Sequence, residues 1–166
     1  MKNVSIYLES DSTAFQKKKR ICGYVLEYIK KNGDAETREE FREAEGTYHR
    51  EILQTLAEAL GRIREPCTIC IYSQDAFVCN MITKKLPEWA DNDFTSNGKP
   101  IANREEWQAV WEKINIHKTS TCIGKHSYTD WMLAEMEERF EKKNKETKEH
   151  LTGPERKTVL FVHGPA

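Results

Sequence analysis

The chain has no apolar run near the roughly 20 residues that a membrane helix needs, so no bilayer-spanning segment is expected. It has no excess charge of one sign: 26 basic residues stand against 27 acidic ones. That balance excludes coating of nucleic acid by net charge alone, and it leaves room for a local basic patch. No internal repeat or low-complexity linker divides the 166 residues, a length that suits one ordinary domain with its own core. The start, MKNVSIYLESDST, lacks a signal-peptide pattern because its short apolar stretch already carries Glu9; a cytoplasmic protein is expected. Cysteines number five and are scattered, which argues against a disulfide framework. Cys67 and Cys70 read C-x-x-C, but they lie in the alternating run PCTICIY. Residues three apart on a strand point to opposite faces, and no second such pair or ligand-spaced His pair accompanies them. Structural thiols are expected there, not zinc.

The patterning that is present divides into two halves. Val4 to Leu8 alternates like a strand, ICGYVLEYI (Ile21 to Ile29) is β-branched and aromatic, and KKNGD follows as a turn signal. TREEFREAE (Thr37 to Glu45) is charged and reads as a third, edge-like strand, so the first half predicts an antiparallel meander. Beyond Gly46 the period becomes helical, with Ile52, Leu53, Leu56, Ala59, Leu60 and Ile63 on one side and Thr47 as N-cap. Pro66 ends this unit. A strand over Thr68 to Tyr72 and a helix over Ala76 to Leu86, halted before Pro87, come next. After a polar loop, DNDFTSNGKP, a helix is expected from about Asn103 to Ile114, then a short strand over Ser120 to Ile123. A long helix begins at Tyr128 with Trp131, Met132, Met136 and Phe140 on one side. Its far end is almost wholly charged, and pairs such as Glu138 with Lys142 and Glu141 with Lys145 suit a solvated helix. The organisation read from this is one domain over residues 1–150 and a tail over 151–166 whose TVLFV stretch is a late strand, a docking element or an extension.

The order βββαβαxαβα predicts a mixed sheet covered by helices, and with several local matches it resembles the type-I ribonuclease H family. IYLESDS (Ile6 to Ser12) resembles the family's first strand ending in Asp-Gly-Ser. GTYHREILQTLAEAL (Gly46 to Leu60) is similar to the helix opening Thr-Asn-Asn-Arg and ending in Ala-Leu, and IYSQDAFV (Ile71 to Val78) to the junction Thr-Asp-Ser-x-Tyr-Val. NGKPIANREEW (Asn97 to Trp107) is the most specific block, similar to Gly-Lys-Pro-Val-Lys-Asn-x-x-Leu-Trp. GKHSYTDWMLAE (Gly124 to Glu135) resembles the Gly-His loop followed by Asp-x-x-Ala. The resemblance implies an α/β fold, a ribonuclease H-like mixed five-stranded sheet flanked by helices.

It also implies a chemistry. Family members cut the RNA strand of an RNA–DNA hybrid with two divalent metals, Mg2+ or Mn2+, held by four carboxylates. By motif position Glu9 stands for the first-strand Asp and Asp130 for the fourth acid. Ile52 occupies the place of the helix Glu, and Gln74 that of the third acid, where it offers one neutral oxygen. The resemblance therefore implies metal ligation by Glu9, Asp130 and Gln74, with Asp75 as a substitute whose competing reading is an N-cap. Asp11 is read as a turn residue. Glu51 groups with Thr55, Glu58 and Arg62 on a polar helix face and is expected at the surface. His126 matches the family's loop histidine, expected to assist catalysis.

For nucleic acid, Thr47 matches a position associated with a strand phosphate, and Tyr48 and His49 stand where hybrid-reading asparagines are expected. Lys17, Lys18, Lys19 and Arg20 form the one dense basic run, near the first strand's end, where they attract phosphate or simply face water. Two functions follow: a divergent metal-dependent nuclease acting on RNA–DNA hybrid or a related substrate with weakened catalysis, or a ribonuclease H fold that has lost catalysis and binds nucleic acid or protein. A protein-interaction module using the charged helix and the tail is a third. Fold alone does not choose among them.

Overall fold

A computed structural model describes the backbone of residues 1–151 and the side chains of residues 1–140. The predicted tail beyond Leu151, the pairings predicted for Lys142 and Lys145, and the docking role of TVLFV fall outside the described residues.

Three strands open the chain: β1 (Lys2–Ser10), β2 (Lys18–Ile29) and β3 (Ala35–Gly46). They pair antiparallel, with Tyr7 opposite Val25 and Val25 opposite Glu39. The charged β3 tolerates its acids because it is the sheet edge and faces water along much of its length. Helix α1 (Tyr48–Leu60) crosses back, so that β4 (Cys67–Ser73) pairs parallel with β1. Next come α2 (Ala76–Lys84), α3 (Leu86–Asp91), the two-residue strands β5 (Thr95–Ser96) and β6 (Lys99–Pro100), and α4 (Arg104–Ile114). Strand β7 (Lys118–Ile123) pairs parallel with β4, and α5 (Thr129–Leu151) ends the described chain. The sheet order is β3-β2-β1-β4-β7, the predicted mixed five-stranded sheet.

Two details differ from the sequence reading. Pro87 does not stop a helix at Leu86; α2 ends two residues earlier, and Pro87 lies in the first turn of α3, where its missing N–H costs nothing. The polar loop holds a small hairpin, whose turn places Asn97 and Gly98 at positive φ.

Alternation along β1 sends Ile6 and Leu8 to one face and Tyr7 to the other. The first face is covered by α1, α2 and α4 in one core with Ile52, Leu56, Ile71, Val78, Trp107 and Val110. On the second, Tyr7 and Val25 pack with Met132 of α5. Met132 and Met136 are buried as predicted, but Trp131 and Phe140 stay exposed at the rim of that helix face. Cys67 is buried and Cys70 half-buried on alternating sides of β4, and all five cysteines are free. No helix among the described residues is long and apolar enough to cross a membrane.

Candidate nucleic-acid and catalytic site

Glu9 sits near the end of β1, two residues beyond Tyr7 and therefore on the α5 face. It is 2% exposed. Three donors meet its carboxylate. The Gln74 amide, just past the end of the neighbouring parallel strand, donates to Oε1 at 3.0 Å and to Oε2 at 3.2 Å. The Thr129 hydroxyl at the start of α5 donates to Oε2 at 2.5 Å. The His126 Nε2 lies 3.2 Å from Oε2 and 3.0 Å from the Leu8 carbonyl oxygen. His126 Nδ1 accepts from the Tyr128 backbone N–H at 3.1 Å, so the ring carries its proton on Nε2 and donates from there. Burial is the largest influence on the Glu9 carboxyl and pushes its pKa up. The hydrogen bonds from His126, Thr129 and Gln74 together outweigh burial and hold it below the ordinary 4.5.

The other predicted partners of Glu9 are placed elsewhere. Asp130 is exposed at the first turn of α5 and makes no hydrogen bond or ion pair among the described residues. Its neighbour Thr129 is the residue turned inward, a one-residue step of about 100° around the helix. Asp75 is buried, but its carboxylate serves α2 and α1: Oδ1 accepts from the Val78 N–H at 3.0 Å as the helix N-cap, and Oδ2 lies 2.7 Å from His49 Nδ1. Asp11 is the turn residue expected, with Oδ1 accepting from the Ile21 N–H at 2.9 Å. Ile52 is fully buried in the apolar core and presents no ligand.

Glu51 corrects the sequence reading. It is buried, not at the surface, and Arg42 on β3 bridges to it at 3.1 Å. The polar face of α1 packs toward β3, and helix periodicity could not reveal the strand arginine waiting there.

The donor set does not fit two divalent ions. Hard cations need several anionic or carbonyl oxygens in close geometry. Here one carboxylate faces an amide N–H2, a hydroxyl proton and an imidazole N–H, each directed where a cation would have to approach. Among the described residues no three His, Cys, Asp or Glu side chains are arranged to hold a metal. The set of Glu9, Gln74, Asp75 and Asp130 expected for Mg2+ or Mn2+ is therefore not assembled, and His126 is a clasp between the α5 entrance and β1, its side chain 1% exposed.

The predicted binding residues divide as well. Arg20 is buried, and its guanidinium donates to the carbonyl oxygens of Gly46, Ser12, Ala14 and Gln16 at 2.7–3.1 Å. It organises the β1–β2 loop and has no free edge for phosphate. Lys17, Lys18 and Lys19 are exposed and unpaired among the described residues. Thr47 precedes α1 with extended backbone and a hydroxyl that caps nothing. Tyr48 is buried, with its hydroxyl pKa pushed up mainly by burial. His49 is half-exposed beside Phe15 and Phe77, two rings the sequence reading did not single out.

A βββαβ meander and crossover, a β4–β7 parallel pair and a first-strand carboxylate beside the β4–α2 junction define a ribonuclease H-like class. The family model described as RNase H matches residues 1–126, and the chain belongs to the RNase H family. It is similar to ribonuclease HI of Haemophilus influenzae, 40% identical over 73 residues, which cover 43% of this chain and 47% of that protein. The match thus spans about half the length of that relative. Ribonuclease H of Clostridium botulinum is 29% identical over 119 residues, 70% of this chain and 78% of its own length. Among solved structures the fold is similar to LC9-RNase H1, described as a type 1 RNase H with the type 2 active-site motif. That similarity has a TM-score of 0.61 at 17% identity over 76% of this chain and 65% of that one.

Proposed function

We propose that this chain is a ribonuclease H-fold protein directed at nucleic acid, with RNA–DNA hybrid as its favoured partner, in which metal-dependent hydrolysis has been lost. The observation that carries this reading is the Glu9 carboxylate, met by hydrogen-bond donors from Gln74, Thr129 and His126. A nuclease of this family would need further acids there, and the positions around it hold an amide, a threonine and a buried isoleucine. Retention of nucleic acid as partner is supported by the uncapping Thr47 hydroxyl and by three unpaired lysines at the same end of the sheet. Five free cysteines suit a reducing, cytoplasmic setting.

The test uses a labelled RNA–DNA hybrid with Mg2+ or Mn2+. The expected result is no cutting and binding that weakens as salt rises. Cutting that disappears in Glu9→Gln would overturn the loss of catalysis, and absence of any hybrid binding would overturn the choice of partner.

A further inference from the structure

The first turns of α1 and α2 lie side by side next to the β1–β2 loop, and the three segments together carry a row of aromatic rings. Phe15 is 69% exposed and Phe77 is 45% exposed. The His49 ring lies between them, 5.2 Å from Phe15 and 4.8 Å from Phe77, tilted by 35° and 38°. Beneath, the buried Tyr48 ring stacks against Phe15 at 6.4 Å. The result is a continuous aromatic row fixed from below and open to solvent from above.

His49 is held in this row by its own device. Asp75, buried and already tied to the α2 backbone, takes Nδ1, and Nε2 has no partner among the described residues. A ring clamped on one nitrogen and free on the other presents a fixed hydrogen-bonding point between two apolar faces.

Exposed lysines stand beside the row. Lys17 and Lys18 are exposed and unpaired. Lys18 shares its strand face with Arg20, whose guanidinium lies 5.8 Å from the Tyr48 ring centre, so Lys18 stands on the aromatic side. The acids of this region are engaged: Asp75 by His49, Glu51 by Arg42, Glu106 by Arg50, and Asp11 by the Ile21 N–H. A partner suited to this surface is flat, aromatic and anionic. A duplex keeps its base faces stacked inside; an unpaired strand offers them.

We infer that the Phe15–His49–Phe77 row is a stacking platform for unpaired nucleotides, with Lys17 and Lys18 holding the strand's phosphates and His49 Nε2 meeting a base edge or phosphate. This inference rests on the reading of the chain as a nucleic-acid-directed protein and adds an unpaired strand, held at its own surface, to the hybrid.

The full chain is tested against a short single-stranded oligonucleotide containing 2-aminopurine and against a blunt RNA–DNA hybrid. The single strand is expected to bind with quenching of the 2-aminopurine fluorescence. Phe15→Ala and Phe77→Ala are each expected to weaken that binding about five- to 100-fold, while hybrid affinity moves less than about two-fold, within ordinary surface-mutation effects. Both rings are exposed, so the variants keep the fold, which circular dichroism checks. Single-strand binding indifferent to both substitutions overturns the platform. So does binding of the hybrid without the single strand, an outcome that leaves the broader nucleic-acid reading standing. Failure to bind either ligand overturns both.

Discussion

The side-chain amide of Gln74 donates to both carboxylate oxygens of Glu9, at 3.0 and 3.2 Å. Glu9 and Gln74 lie side by side because β1 and β4 are parallel neighbours in register, with Tyr7 beside Tyr72 two residues earlier. Two acids at these places would repel each other unless a cation stood between them. An amide removes the repulsion and supplies N–H groups instead, so the pair is stable without metal. Thr129 and His126 complete the same substitution from α5 and its entrance loop.

Glu9→Gln should therefore destabilise the fold at neutral pH. The replacement loses a charged acceptor and turns one of its own donors toward Thr129, His126 or Gln74, a cost of about 1–3 kcal/mol. The Glu9 carboxyl titrates lower in the folded chain than its ordinary 4.5. The unfolded chain then binds more protons in that range, and stability rises with pH across it. The contribution is fully present above the ordinary value and is lost as pH falls through the lower folded value. Urea unfolding of both proteins from pH 7 downward should show a gap that closes in acid; a gap constant with pH would contradict the network.

Gln74→Asp combined with Thr129→Asp should reverse the metal behaviour. Three carboxylates then crowd one end of the sheet, and the variant should melt lower than the parent in chelator. Saturating Mn2+ should raise its midpoint by linkage, because the cation binds only the folded state. The parent midpoint should not respond to Mn2+ beyond an ionic-strength control. A saturable rise in the parent would show that the Glu9 cluster opens to take a metal.

The sheet was legible in the sequence because its signals are local: β-branched runs, a helical period after Gly46, and a charged strand that only an edge would tolerate. Blocks such as NGKPIANREEW then fixed their order. The site was half legible. Glu9, Gln74 and His126 meet, since motif positions at strand ends and a loop survive folding unchanged. Asp130 was assigned inward and faces out, because α5 turns its first residue, Thr129, toward Glu9 and a one-residue step carries Asp130 about 100° around the helix. Glu51 misled for a different reason. Its helix face is polar, and polarity was read as exposure when it reflects Arg42, nine residues earlier on β3, which the turn at Gly46 folds back against α1. Phe15 carried no motif and Phe77 lay unremarked within the Ile71 to Val78 block; their closeness to His49 in space is what draws them together.

Arg20 offers a way to separate a structural cation from binding ones. Its four carbonyl acceptors span Ser12 to Gly46 and hold the loop that presents Phe15 and Lys17. Arg20→Lys keeps the charge but loses the planar fork, leaving carbonyls unpaired at a cost of about 2–4 kcal/mol. Lys17→Ala and Lys18→Ala should leave the urea midpoint within about 0.5 kcal/mol of the parent. On a single strand each should reduce the slope of log affinity against log salt by about 0.7. Equal effects of Arg20 and the lysines on stability would contradict this division.

The cysteines test the packing of both sheet faces without mutation. Cys122 is exposed, whereas Cys22 and Cys79 are buried, and burial pushes their thiols up to about 11 and about 12. The thiolate is the reactive form, so low access and a high pKa act in the same direction at those two sites. Native protein treated with a thiol reagent near neutral pH should label Cys122 first, as read by peptide mass mapping. Cys22 and Cys79 should wait for global unfolding, since one lies under α1 in the main core and the other on the buried side of α2. Labelling of Cys79 at the rate of Cys122 would mean that α2 lifts from the sheet in the native state. In that case Asp75, the N-cap of α2, could not hold His49 in a fixed place.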